Sequence, residues 1–172
     1  AAARPLDAAE EARLITAAPF LAGSSSAAAE FRARTLRLAR SSAPVLVTGE
    51  RGVGKPLAAE ALHAFSARPA RPLARLRCDH RAVDELAADL ETALRLWGAQ
   101  GDAGATLLLE RACALPAGLQ SRVLRLLDAS AGAGAAVDGA ARLRLICWAR
   151  DDLEQRGADG QFRENLFQRL AI

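Results

Sequence analysis

The stretch GERGVGKP, Gly49 to Pro56, sets glycines and a lysine at the G-x-x-x-x-G-K spacing of a phosphate-binding loop. Gly49, Gly52 and Gly54 let the backbone curl, so that the N–H groups of the loop, Glu50, Arg51 and Val53 among them, converge on phosphate oxygens. A helix starting near Gly54 adds its positive end, and Lys55 supplies a mobile cation for the outer phosphates. Pro56 stands where such loops commonly carry a hydroxyl. A proline suits a helix's first turn but brings no N–H to the cradle. One lost charge-assisted bond weakens phosphate binding by about 1.5–3 kcal/mol where nothing replaces it.

The pattern needs a strand before it and a helix after it, and both are legible. APVLVTG reads as a short buried strand and KPLAAEALHAF as a helix, with Leu57, Ala61, Leu62 and Phe65 near helical spacing. Ahead of them, Ser25 or Ser26 caps a helix over AAAEFRARTLRLA, with Phe31, Leu36 and Leu38 on its apolar face. Beyond them come a strand at PLARLRC and a helix at AVDELAADLETALRLWG carrying Val83, Leu86, Leu90, Leu94 and Trp97. A strand at ATLLLE, a helix at LPAGLQSRVLRLLD, a small-residue loop at ASAGAGAAVDGA and a strand at LRLICWA follow. DGQFRENLFQRL closes the chain as a helix. Residues 1–20 read as a linker with a short helix capped by Asp7 and Glu10. Strands alternating with helices predict an α/β fold, a parallel sheet with helices on its faces.

Composition removes several function classes. No apolar run reaches the ~20 residues of a membrane-spanning helix, and the N-terminus lacks the basic-then-apolar order of a signal peptide. Cys78, Cys113 and Cys147 lack metal-ligand spacing and point to reduced thiols in a cytoplasmic setting. His63 and His80 are scattered and predict no metal centre. Arginine is spread among acids, which predicts solvated helix faces rather than a nucleic-acid patch. Of 23 basic side chains only Lys55 is a lysine, and that lysine closes the glycine loop.

From about Leu21 to Ile172 the chain resembles the central AAA+ domain of the bacterial enhancer-binding regulators that activate sigma-54 RNA polymerase. LAGSSSAAAEFR is similar to that family's opening L-V-G-x-S-x-A-M segment, whose backbone lies near the adenine, which implicates Gly23. APVLVTGERGVGK resembles A-P-V-L-I-T-G-E-S-G-T-G-K-E, and ALHAFSAR resembles A-L-H-x-x-S-x-R. GATLLLERACALPAGLQSRVLRLLD, LRLICWARDDL and GQFRENLFQRLAI match further landmarks in the family's order. The resemblance implies a P-loop AAA+ α/β subdomain over residues 21–172, with ATP or ADP, and magnesium, as cofactors.

Departures from the family pattern fall on the chemistry. Where the family's third strand ends in Asp-Glu, which holds magnesium and polarises the attacking water, this chain has Glu110-Arg111. Glu110 keeps a carboxylate that could still hold magnesium and is the sole, weak catalytic candidate. Arg111 cannot act as a base, because a guanidinium keeps its proton in proteins. The phosphate-sensing Thr-Asn of the fourth strand is replaced by Ala149-Arg150. The G-A-F-T-G-A loop that engages sigma-54 has no counterpart between AVDELAADLETALRLWG and ATLLLE. Arg163 and Arg169 match the two arginines that the family extends to a neighbour's nucleotide. A fifth strand beside the phosphate-loop strand and a helical lid would follow Ile172, and without that strand the edge is left uncovered. The lack of any methionine fits a piece of a longer protein.

These readings imply a degenerate regulatory module of a transcription factor, nucleotide-binding or self-associating, that has lost hydrolysis. It would act on RNA polymerase indirectly and on DNA through a domain outside this chain, without contact to a membrane. Cyclic di-GMP is a lesser candidate ligand, for which Arg51, Arg111 and Arg150 would suit the anion. A working ATPase of a sigma-54 activator and a ligand-free scaffold are the alternatives.

Overall fold

A computed structural model describes residues 9, 12, 15, 16, 19, 22–67, 69–98, 104–131, 143–150 and 153–170. Helix α1 (Ser26–Ala39) leads into β1 (Val45–Val47), α2 (Lys55–Ala64), β2 (Leu73–Arg77) and α3 (Val83–Gly98). β3 (Ala105–Glu110), a 3-10 turn (Ala112–Ala114), α4 (Ala117–Ala131), β4 (Leu143–Trp148), α5 (Leu153–Ala158) and α6 (Glu164–Leu170) follow. Among the described residues the sheet has four strands in the order β1-β4-β3-β2, all parallel. The expected α/β architecture is thus present.

Alternation along the strands divides the core. Leu107, Leu109, Leu145 and Cys147 face a large cluster built with Leu86 and Leu90 of α3, Leu119 and Val123 of α4, and Leu166 of α6. Leu108, Ile146 and Trp148 face the other way, against Ala39 of α1 and Ala59 and Leu62 of α2. β3 as far as Leu109 and all of β4 are buried on both faces, the Thr106 and Arg144 side chains included. β1 is an edge strand that pairs only with β4 among the described residues, as the strand order implied. Beside its open edge runs a groove of about 440 Å³, lined by Arg34, Leu46, Thr48, Leu153 and Phe167.

One charged side chain lies inside this frame. Arg144 of β4 is buried, and its guanidinium donates to the carbonyls of Leu38 (2.7 Å), Ala39 (2.9 Å) and Leu62 (3.1 Å). Those carbonyls end α1 and α2, where backbone oxygens lack helical partners and the helix dipole is negative. A single cation therefore closes two helices against the sheet. Beside it His63 of α2 shares a 3.0 Å hydrogen bond with Thr106 of β3. Burial lowers the His63 pKa below the free value of 6.5, and the Arg144 and Arg75 charges push the same way against a backbone hydrogen bond at Arg71. Arg32 is buried too, donating to the Gly23 carbonyl at 2.6 Å. The expectation that arginines cover solvated faces fails at these two positions, because each finds carbonyl acceptors inside.

Other expectations need correction. Phe31, Leu57 and Val83 are 43%, 48% and 51% exposed, so each sits at the margin of its apolar stripe. The final helix starts at Glu164 and not at Asp159, because Gly160 (φ 70°) turns the chain there. A short helix, α5, precedes it where none was expected. α4 continues through Ala129 to Ala131, into the stretch read as loop. Of the alternatives for the first cap, Ser25 is realised, its hydroxyl accepting from Ala28 N at 3.2 Å. Asp7, Glu10 and residues 132–140 lie outside the described residues, as does the Trp97 side chain.

Arg144→Met should remove three bonds to helix-end carbonyls, of which Leu38 O keeps a second donor in Ser41 N, and lower stability by about 2–4 kcal/mol, near 1 kcal/mol for each lost bond. Urea unfolding would register this as a lower midpoint at unchanged slope, with Arg144→Lys intermediate.

Candidate functional site

The loop from Gly49 to Gly54 joins β1 to α2. Gly52 (φ 89°) and Gly54 (φ 86°) take left-handed backbone that side chains resist, and Gly54 caps α2 without a side-chain bond. Lys55 and Pro56 open the helix, leaving the Lys55 and Leu57 N–H groups there while Ala58 N already bonds Gly54 O. The Lys55 side chain turns back into the curl. It is 5% exposed, and its ammonium donates to Gly49 O at 2.7 Å and to Glu50 O. The cation thus stands where phosphate would lie, held by the loop's own carbonyls. Glu50, Arg51 and Val53 are exposed on the outside of the loop, and so is Pro56.

Register brings the other candidates to the same end of the sheet. Val47, Trp148 and Glu110 are lateral partners across β1, β4 and β3, and Ala149 N continues the ladder by bonding Val47 O at 3.0 Å. Arg150 follows, exposed. Glu110 shares the α2 face with Leu108, and its carboxylate lies 3.7 Å from Arg75 Nη1, which pairs with Glu60 of α2 at 2.7 Å.

Arg111 begins the next turn with φ 56°, an uncommon conformation for a residue with a side chain. Its Nη1 is 2.7 Å from Asp79 Oδ2, and its Cζ lies 5.9 Å from the Trp148 ring centroid, the outer reach of a cation–π contact. Asp79 is 8% exposed and also takes a 3.0 Å bond from Arg77 Nε, with His80 Nε2 at 3.4 Å. Burial raises the Asp79 pKa, but the Arg77 hydrogen bond and the Arg111 and Arg77 charges outweigh it and hold the group below its ordinary value. Cys78 N bonds Glu110 O at 3.0 Å, which fixes this pairing of the β2 and β3 ends. The Cys78 thiol is pushed up to about 12 by burial first and then by Cys113, Asp79 and Glu110 nearby. Cys78, Cys113 and Cys147 are all free and buried, so they pack as small apolar groups.

Gly23, Arg163 and Arg169 stand apart from the loop. Gly23 is tied to Arg32 of α1, the helix packed beside α2. Arg163 immediately precedes α6 and Arg169 lies on it, on the opposite face of the sheet. Arg169 Nη2 pairs with Asp128 at 2.7 Å, while the Arg163 side chain is exposed. Gln120, which sequence reading passed over, fixes the turn before α6: its amide donates to Leu115 O (2.7 Å) and Gln161 O (3.1 Å) and accepts from Arg163 N (2.8 Å). Asp79 and Trp148 were missed as well. Nothing in the local sequence marks them, since their partners come from other strands.

Magnesium ordinarily accompanies a polyphosphate in such a site. The donor set fits it poorly: Pro56 offers no hydroxyl, Glu110 faces Arg75, and Arg111 places a guanidinium alongside. Among the described residues no three His, Cys, Asp or Glu side chains converge to hold a metal.

A parallel sheet whose first strand opens through a glycine loop into a lysine-headed helix defines the P-loop class of α/β proteins. Within that class, residues 22–172 match the sigma-54 interaction domain, and the chain belongs to that family. It is 34% identical over 166 residues to the Nif-specific regulatory protein of Rhodobacter capsulatus, covering 88% of this chain and 28% of that protein. It is 35% identical over 150 residues to the transcriptional regulator NtrC of Escherichia coli, covering 79% and 32%. The chain thus spans about a third or less of these relatives. NtrX from Brucella abortus, solved in complex with ADP, superposes with a TM-score of 0.71 at 27% identity, over 87% of this chain and 36% of that one. The P-loop NTPase domain of an E. coli sigma-54 activator shares the fold, with a TM-score of 0.61 at 20% identity over 87% of this chain and 92% of that one.

Asp79→Ala should destabilise the fold by about 1–2 kcal/mol by freeing Arg111 and Arg77, and less so in an Arg111→Ala background. A double-mutant cycle in urea reads the coupling directly; additive losses would mean that the pair contributes nothing.

Proposed function

We propose that this chain is a regulatory AAA+ module that binds ATP or ADP in the Gly49–Pro56 loop and does not hydrolyse it. The observation that carries this reading is Arg111. It occupies the position after Glu110, and its guanidinium pairs with Asp79 through one nitrogen and lies near the Trp148 ring. A group that never releases its proton cannot draw one from water, and Ala149 and Arg150 supply no neutral polar side chain to orient that water. Residues 21–172 form the module, with residues 1–20 a linker.

The binding half of the proposal rests on the loop geometry and the helix N-terminus behind it. Arg163 and Arg169 reach a neighbouring copy's nucleotide, so self-association accompanies binding. α3 ends at Gly98 and β3 begins at Ala105, and so short a connection supports the reading that no sigma-54 remodelling loop is inserted there. Output therefore passes to RNA polymerase indirectly, in the cytoplasm, with DNA contacted by a domain outside this chain. A second reading, a ligand-free scaffold, is favoured by one observation: Lys55 is already satisfied by the Gly49 and Glu50 carbonyls.

Calorimetric titration with ATP, ADP and cyclic di-GMP, with phosphate release followed in the same samples, separates the readings. Saturable ATP or ADP binding, weakened about tenfold or more by Lys55→Ala and without phosphate release, is the expected result. Absence of heat from every ligand would leave the scaffold, and steady phosphate release would restore the ATPase.

A further inference from the structure

The ends of β1, β4 and β3 set a track for a polyphosphate. Val47, Trp148 and Glu110 are level neighbours, and adjacent strands lie about 4.8 Å apart. A phosphate chain seated in the loop beyond Val47 would have Trp148 and then Glu110 as its next neighbours along the strand ends. In other phosphate sites a divalent cation neutralises this stretch.

Here two arginines, Arg111 and Arg150, stand along the track beside the single carboxylate of Glu110. Arg111 is held by Asp79 at 2.7 Å and lies 5.9 Å from the Trp148 ring, yet its side chain remains 39% exposed. A guanidinium has five N–H donors in a rigid fork, and Asp79 engages only one of its nitrogens. A cation held in place before the ligand arrives loses little freedom on binding. Arg150 is exposed at the end of β4. The Trp148 Nε1–H is buried and has no hydrogen-bond partner among the described residues, a second sign that the local polar network is incomplete. Glu110, the one acidic side chain on the track, is within 3.7 Å of Arg75.

We infer that this site takes nucleoside di- and triphosphates as metal-free anions, with Arg111 standing where a divalent cation stands in related sites. The inference rests on the nucleotide reading above and specifies its ligand. A magnesium complex carries less negative charge than the free polyphosphate and brings its own cation into a place already held by Lys55 and Arg111. Both differences favour the uncomplexed ligand.

The test is calorimetry on the full 172-residue chain, with ATP and ADP each titrated in excess EDTA and in excess magnesium. Wild type should bind about tenfold more tightly in EDTA, and Arg111→Met should lose about tenfold there. Binding by wild type only in magnesium overturns the inference and leaves the nucleotide reading standing, whereas binding in neither removes both. Arg111→Met binding like wild type in EDTA also overturns it. A readout that does not need the Arg111 variant to fold uses the chain's two tryptophan indole N–H resonances, Trp148 being identified with Trp97→Phe. Saturation with metal-free ATP should move the Trp148 resonance, and an unmoved resonance overturns the assignment.

Discussion

A buried cation must find acceptors, and Arg144 finds them at the ends of two helices. Its guanidinium gathers the last carbonyls of α1 and α2 onto β4, which fixes the height of α2 above the sheet. α2 begins at Lys55, so the placement of the phosphate loop at one end is set by the closure of the helix at the other. His63 and Thr106 add a second polar tie on the same face. The loop is thereby anchored to β4, the strand that also carries Trp148 and Arg150 to its rim.

At that rim carboxylates and guanidinium groups face one another. A hydrolytic site pairs a cation with carboxylates and leaves one of them free to act on water. In this chain the carboxylates are already engaged: Glu110 faces Arg75, and Asp79 faces Arg77 and Arg111. Arg111 and Arg77 flank the buried Asp79 at the ends of β2 and β3, so that carboxylate is not left as an unpaired buried charge. The same arrangement that holds the strand ends together leaves the site rich in donors and poor in bases. On the reading proposed above, such a site holds an anion without turning it over.

Much of this was legible in the sequence. All four strands stand within the segments APVLVTG, PLARLRC, ATLLLE and LRLICWA that the sequence marked as strands, and the loop's spacing located the candidate site. Periodicity was less informative at stripe margins: Leu57 and Val83 fit the helical spacing, yet each is about half exposed because it sits at the edge of the covered arc. The helical reading of DGQFRENLFQRL began too early because its polar start matches a helix as well as a turn, and only the left-handed Gly160 decides between them. Arg144 gave no local signal, since its acceptors lie far away in the chain on α1 and α2. Asp79 is meaningful only beside Arg111, and Gln120 only beside the turn before α6. These residues act through pairings between strands and helices, which a linear pattern does not encode.

Membership of the sigma-54 interaction domain family supplies the frame, and the residues at the strand ends decide what this chain does within it. The most direct measurement is the diffraction structure of the chain crystallised with ATP. The account predicts an intact triphosphate in the Gly49–Lys55 loop, with Lys55 Nζ moved from the Gly49 and Glu50 carbonyls onto the phosphates. An empty loop with Lys55 unmoved, or ADP left by cleavage, would contradict it.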